Sequence, residues 1–192
     1  MWYAPLRTWH PVREAKSIVG IFLTADLHLG HAAIIEYTNR PFHSAGEMDG
    51  VLIANIIATV SQTDTLYVLG DFAFRPEVFA AYSSLLARVC KTVFLKGNHD
   101  PKNRHDPLAL DFRHNKRHYF ACHYPWATWR PNTVMLHGHC HGNPVPFPAD
   151  SRQQWRYDAG VDVEWAGRKY FPVPIELVEA RINGDVSLDS AR

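Results

Sequence analysis

Three histidines at alternate positions, His137, His139 and His141, close the apolar run Val134-Met135-Leu136, with Gly138 and Gly142 among and after them. Imidazoles two residues apart on a loop leaving a buried strand can reach two metal ions. Glycine lets the backbone pass close to such ions with no Cβ in the way. Alone, a cluster of this kind also fits a solvated loop. Its company upstream decides the matter: Asp26-Leu27-His28, Gly70-Asp71, Gly97-Asn98-His99-Asp100 and His123 each follow an apolar run. Of the 12 histidines in 192 residues, seven (His28, His31, His99, His123, His137, His139 and His141) lie in or beside these segments. Divalent ions held by such clusters can sit as a pair, ~3.5–4 Å apart. They need one carboxylate able to bridge both, and Asp71, at a strand end after Gly70, is suited to that.

Each segment stands where a strand should stop. Residues 17–24, 65–69 and 92–95 are apolar runs of strand length, as in strands buried on both faces. Met48, Val51, Leu52, Asn55, Ile56 and Val60 recur at helical spacing and predict an amphipathic helix over 46–60. Pro76 suits a first helical turn and predicts a second helix over 76–89. Strand–helix alternation implies parallel strands with helices on both faces, and ligands in such sheets gather outside the carboxyl ends of the strands. One pocket is expected there. From residue 118 the rhythm changes. Residues 118–123 and 133–137 read as strands joined too closely for a crossover helix, which predicts a second, mostly antiparallel sheet packed on the first. Residues 155–162 read as another strand. Residues 174–188 read either as a short helix over 174–182 or as a hairpin turning at Asn183-Gly184. The Pro-rich stretch 144–148 reads as a surface loop, and the mixed residues 1–17 as an N-terminal extension with a loose strand or edge hairpin.

A composition of 46% apolar and 20% charged residues fits one globular domain over 1–192. A net charge of +1 removes any global case for nucleic acid or an anionic membrane. No apolar run approaches the ~20 residues that span a bilayer, and the N-terminus lacks the basic-then-apolar order of a signal peptide. Cys90, Cys122 and Cys140 are odd in number and follow no C-x-x-C spacing, so a reducing compartment fits better than a disulfide framework. A soluble cytoplasmic protein without a membrane partner is expected.

The strand-end segments, in order, resemble the five motifs of the calcineurin-like metallophosphoesterase superfamily over residues 18–165. Leu29-Gly30-His31, Asn39-Arg40-Pro41-Phe42 and Gly70-Asp71-Phe72-Ala73-Phe74 look more narrowly like its small stand-alone members from bacteria and phages. The resemblance implies an α/β fold, a four-layer αββα sandwich of two mixed sheets. It implies that Asp26, His28, Asp71 and His141 hold one metal ion, that Asp71, Asn98, His123 and His139 hold the other, and that a hydroxide shared between the ions attacks phosphorus. His99 is then a catalytic residue on the phosphate and leaving oxygen, with Asp100 orienting its ring. Imidazole with carboxylate and amide oxygen suits Mn²⁺, Fe²⁺ or Zn²⁺, with Ni²⁺ a further candidate, over Ca²⁺ or Mg²⁺.

Other residues stand at the edge of this pattern. His31 and Arg40 resemble positions near the phosphate in the narrower group, and Arg suits bidentate phosphate binding. His137 alternates with His139 and so points the same way from an extended backbone, toward substrate or into the structure. Alternation turns the Cys140 thiol away from the ligands on either side. Lys102, Arg104, Arg113, Lys116 and Arg117 form a basic stretch that reads as a solvated face or as a steering surface for an anion. Trp126 and Trp129 follow His123 and read as pocket wall or as core. The function expected from the resemblance is hydrolysis of a small phosphodiester, nucleotide-like or generic aryl. A nuclease on RNA or DNA, a phosphomonoesterase, a protein phosphatase and a non-catalytic scaffold of the same fold are the rivals.

Overall fold

The computed structural model describes residues 19–145 and 155–185, so the expectations for 1–17 and for most of the 144–148 loop lie outside the described residues. Three parallel strands, β1 (Ile21–Thr24), β2 (Thr65–Val68) and β3 (Lys91–Phe94), build one half of the molecule. With β8 (Val173–Pro174), which is antiparallel to β1, they make a sheet of order β3-β2-β1-β8. Along each strand one face meets helices and the other meets a second sheet. Phe22, Leu66 and Val68 pack with Met48, Leu52, Ile53 and Ile56 of α2 (Ala45–Thr59) and with Phe79 and Leu86 of α3 (Pro76–Leu86). Burying side chains of that size stabilises by roughly 1.5–3 kcal/mol each. Leu23, Leu69 and Leu95 point the other way, into a core shared with Tyr119, Val134 and Leu136. Helices therefore cover one face of the parallel strands, and the second sheet replaces them on the other.

Local chemistry sets the helix boundaries. Ser44 caps α2 by accepting from Glu47 N–H at 3.2 Å, while the Glu47 carboxylate accepts from His43 N–H at 2.7 Å. Pro76 opens α3. In 174–188 the helix wins: α4 (Ile175–Asn183) ends at Gly184, whose φ of 80° supplies a left-handed cap. It turns Ile175 and Val178 into the inter-sheet core. A one-turn helix not expected from the sequence, α1 (Ala33–Tyr37), follows the first strand-end loop.

The second sheet has the order β4-β5-β6-β7, from β4 (Ala109–His114), β5 (Arg117–Cys122), β6 (Thr133–His137) and β7 (Arg156–Asp158). Only β4 and β5 run antiparallel; β5–β6 and β6–β7 are parallel, which corrects the mostly antiparallel sheet expected. Tryptophan does the work of a crossover helix between β5 and β6. Trp126 packs edge-on against Phe120 and donates its backbone N–H to Met135 Sδ, and Trp129 Nε1 donates to the Thr133 carbonyl at 2.7 Å. Strand β4 lies inside the basic stretch, joined to β5 by Asn115-Lys116, both left-handed as a tight hairpin turn requires. Among the described residues the outcome is an α/β sandwich of two mixed four-stranded sheets with four helices, the two-sheet architecture that the resemblance implied. No helix among the described residues is long and apolar enough to cross a membrane.

Candidate metal centre

Loops leaving β1, β2, β3, β5 and β6 meet at one end of the sandwich, laced by backbone hydrogen bonds. Asp26 N–H donates to Gly70 O (3.1 Å), His28 N–H to Asp71 O (2.9 Å) and Gly138 N–H to His123 O (3.1 Å). The packing is tight enough to need glycine. A Cβ on Gly70 would lie 2.6 Å from His123 Nδ1, one on Gly138 2.8 Å from Asp26 Oδ2, and one on Gly97 would overlap Asp71. Among the described residues eleven non-glycine residues have positive φ, and five of them are Asp26, His28, Asp71, His139 and His141. Such conformations cost ~1–3 kcal/mol each and persist where the surroundings impose them, which is typical of ligand clamps.

The side chains so presented converge. His28 Nε2 is 3.5 Å and His123 Nε2 3.3 Å from the same oxygen, Asp71 Oδ2. Asp71 Oδ1 accepts from His99 N–H at 2.8 Å. His123 Nε2 also lies 2.9 Å from Asn98 Oδ1, while its Nδ1 meets the Leu69 carbonyl at 2.9 Å. Both Asp26 oxygens accept from His139 N–H, at 3.0 and 2.9 Å. The His28 ring stacks on His141 (centroids 5.2 Å apart, 27°), and His123 meets His139 edge-on at 5.2 Å. Donor atoms of Asp26, His28 and His141, and again of Asp26, Asp71 and His123, lie within 4.8 Å of one another.

The electrostatics call for cations. Burial pushes the Asp26 carboxyl up to about 7 against the pull of His123 and His141, the mark of a carboxylate short of positive charge. Burial also drives His28 down to about 3, so its imidazole is neutral. Both ring nitrogens of His28 are buried without a hydrogen-bond partner among the described residues. A buried orphan of this kind is costly unless something absent from the polypeptide meets it. At His123, a carbonyl can only accept, so Nδ1 carries hydrogen and the Nε2 lone pair faces Asn98 Oδ1 and Asp71 Oδ2. Acceptors gathered around a lone pair are stable only with a proton or metal ion between them. Burial opposes charge on His123, yet the Asp71 carboxylate outweighs it and raises the ring above its ordinary value. Asp71 shows the reciprocal effect: burial raises it, but His123, His28 and the His99 amide together hold it at about 2. The donors present fit divalent cations.

Three expectations need correction, and one open reading is decided. Asp100 does not orient His99; its carboxylate accepts from the N–H groups of Asp71 (2.9 Å), Phe72 (2.8 Å), Ala73 (3.3 Å) and Gly97 (2.8 Å), binding the β2 loop to the β3 loop. Arg40 has no N–H left for a phosphate. Buried at 4% exposure, it forks onto Asp162 (2.9 and 2.7 Å) and spends the rest on Leu27 O, Met48 Sδ and Asp26 O. His137 leaves the cluster, because Gly138 and the left-handed His139 break the alternation; its Nδ1 turns back to Gly138 O at 2.8 Å. Trp126 and Trp129 cover the outer face of the second sheet and do not wall the pocket. His31 does join the group, 5.6 Å from His28 and 6.0 Å from His99. Asn98 and His99 are exposed at its mouth.

Two features escaped the sequence reading. Asp162 Oδ2 lies 2.7 Å from His141 Nδ1, so that nitrogen carries the hydrogen and Nε2 keeps its lone pair. Burial disfavours charge on His141, but Asp162 raises the ring above its ordinary value. Gly160 sits beneath Asp26, where a Cβ would come 2.7 Å from Oδ2. The segment Asp158-Ala159-Gly160-Val161-Asp162 carries the same acid-and-glycine pattern as the other strand ends, which was the available signal.

Comparison with known proteins bears on the identity of this centre. The chain is 30% identical over 165 residues to an uncharacterised protein of Methanocaldococcus jannaschii, covering 82% of this chain and 88% of that one. The fold is similar to the crystal structure of a protein of unknown function from Aquifex aeolicus, with a TM-score of 0.63 at 20% identity, covering 84% of this chain and 98% of that one. Residues 20–172 match the family model described as calcineurin-like phosphoesterase. That match spans every loop of the cluster, and the chain belongs to the calcineurin-like phosphoesterase family, whose members are metal-dependent phosphoester hydrolases.

Proposed function

We propose that the chain is a cytoplasmic phosphodiesterase acting on small, nucleotide-like esters with two divalent cations. Asp26, His28, Asp71 and His141 hold one ion, and Asp71, Asn98, His123 and His139 the other. When bound, such ions polarise the phosphoryl oxygens and acidify water for in-line attack at phosphorus. Asp71 joins the two halves, since Oδ2 faces His28 and His123 together while Oδ1 is fixed by the His99 amide. Pinning that amide leaves the His99 imidazole at the exposed mouth, where it meets the phosphate and gives a proton to the leaving oxygen. Asn98 turns its oxygen to His123 and keeps its N–H donors for the phosphate. Free Cys90, Cys122 and Cys140 fit a reducing compartment.

The observation that carries this reading is His28, buried, neutral and without a hydrogen bond at either nitrogen among the described residues, between Asp71 and His141. The test is hydrolysis of bis(4-nitrophenyl) phosphate by chelated protein reloaded with Mn²⁺, Fe²⁺, Zn²⁺ or Ni²⁺, beside a monoester, a cyclic diester, RNA and DNA. Turnover of the diester restored by metal is expected, and His99→Ala should lower it with metal content unchanged. A chain that takes up no metal, or that takes it up and cleaves only monoesters or nucleic acid, overturns the proposal.

A further inference from the structure

Two aromatic side chains at the mouth of the centre have no part in the chemistry above. Phe74 is 46% exposed and Tyr124 48%. Lone exposed aromatics are ordinary, but neither of these is alone. Phe74 lies flat on His31, with centroids 4.4 Å apart and planes 11° from parallel, and its centroid is 6.4 Å from that of His99. Its backbone is fixed: Phe74 N–H donates to Leu29 O at 3.0 Å, and Ala73 N–H donates to Asp100 at 3.3 Å. The ring is thus held half-bare on the flank of His28, His31 and His99. Tyr124 stands on the other flank, 4.5 Å from His139 and 5.1 Å from His123. Arg40, the cation that the sequence placed beside this pocket, is consumed by Asp162 and by carbonyls. Recognition on the Phe74 flank therefore rests on stacking, with no charge from Arg40.

We infer that Phe74, laid on His31, is the shelf for a planar aromatic group of the ester, an aryl ring or a nucleobase, carried on the leaving oxygen beside His99. This rests on the phosphoesterase reading. A flat π-face stacks on any aryl or base without hydrogen-bond readout, so the shelf favours planar esters over alkyl ones and discriminates little among planar groups.

The test compares phenylphosphonate with methylphosphonate, neither of which is hydrolysed, by calorimetry on the metal-loaded full chain. Phenyl should bind tighter by roughly 5- to 150-fold, the range that base–aromatic stacking supplies. Phe74→Ala should bring the ratio close to one, Phe74→Leu should restore bulk without restoring the ratio, and Phe74→Trp should keep or raise it, all with unchanged metal content. A ratio indifferent to Phe74→Ala, a ratio that responds to Tyr124→Ala in its place, or no binding of either phosphonate overturns the shelf. Hydrolysis of bis(4-nitrophenyl) phosphate, followed in parallel, separates the two ideas. Turnover with a ratio blind to Phe74 sinks the shelf alone, and a Phe74-dependent ratio without turnover upholds the shelf and sinks the phosphodiesterase.

Discussion

On the His123 side of the metal centre the main chain does the holding. The ring is fixed by the Leu69 carbonyl, its neighbour Asp71 by the His99 amide, and both loops by four amides converging on Asp100. On the His141 side the holding is done by side chains. His141 leans on Asp162, and Asp162 leans on Arg40, which in turn grips the carbonyls of Asp26 and Leu27. The first support is local to the strand ends that carry the ligands. The second spans 122 residues of sequence and depends on one buried ion pair. Similar ligand chemistry is thus reached once through backbone geometry, close-packed at glycine and tied at Asp100, and once through a charge pair that bridges distant parts of the chain.

That difference sets the largest expected effect. Arg40→Met leaves the buried Asp162 carboxylate with His141 alone to face it, close to the situation that costs roughly 3–5 kcal/mol. Urea unfolding should register a loss of that size, and a loss below 1 kcal/mol would show that the pair is not a main support of the fold. Next comes the residue common to both halves. Asp71→Ala should weaken metal binding at both positions by at least about a hundredfold, the upper end of what losing an outer partner costs. Metal content per chain reads this directly, and retention of one ion at wild-type affinity would mean that Asp71 serves one half only.

The same contrast explains what could be read from the chain. Backbone-supported ligands announce themselves, because apolar run, glycine and polar residue are contiguous in 18–28, 65–71 and 92–100. The parallel strands, α2, α3 and the gathering of the histidines were legible for that reason. Arg40 with Asp162 was not, since a long-range ion pair leaves no periodicity. A buried arginine and a phosphate-binding arginine are the same letter. Asp100 misled for a related reason: adjacency to His99 in sequence suggested contact, whereas the loop turns its carboxylate toward four amides. Strand β4 hid behind composition. Ala109–His114 alternates inward Leu110 and Phe112 with outward Asp111 and Arg113, but Asn-Lys is a weaker hairpin signal than Asn-Gly, and the flanking charges give the stretch the composition of a solvated face.

Asp162→Asn sharpens the comparison with a gentler change. The amide keeps an oxygen for His141 Nδ1 but loses the charge that favours a strongly donating imidazole. Outer-partner losses of this kind cost roughly 10- to 100-fold in affinity. Calorimetric titration should resolve one weakened ion and one unchanged. Equal weakening of both would mean that the halves are coupled through Asp26 more strongly than their separate supports suggest.

The smallest effect tests whether either half feels the scaffold beyond its own loops. Helix α2 reaches the centre through Asp49, whose two oxygens both accept from Gly30 N–H at 3.0 Å, next to His31 and two residues from His28. Ser44 caps that helix one turn away from Asp49. Ser44→Ala should cost ~1 kcal/mol, seen as a fall in Tm of roughly 2–4 °C for a chain of this size. If α2 acts as a rigid strut, the loss appears in global unfolding alone and both ions bind as before, because the cap frays while the Asp49 turn stays packed on Met48, Leu52 and Ile53. A weakened ion on the His28 and His141 side, with the His123 side unchanged, would place the helix cap among the supports of that half and make its dependence on distant side chains deeper than the Arg40 pair alone.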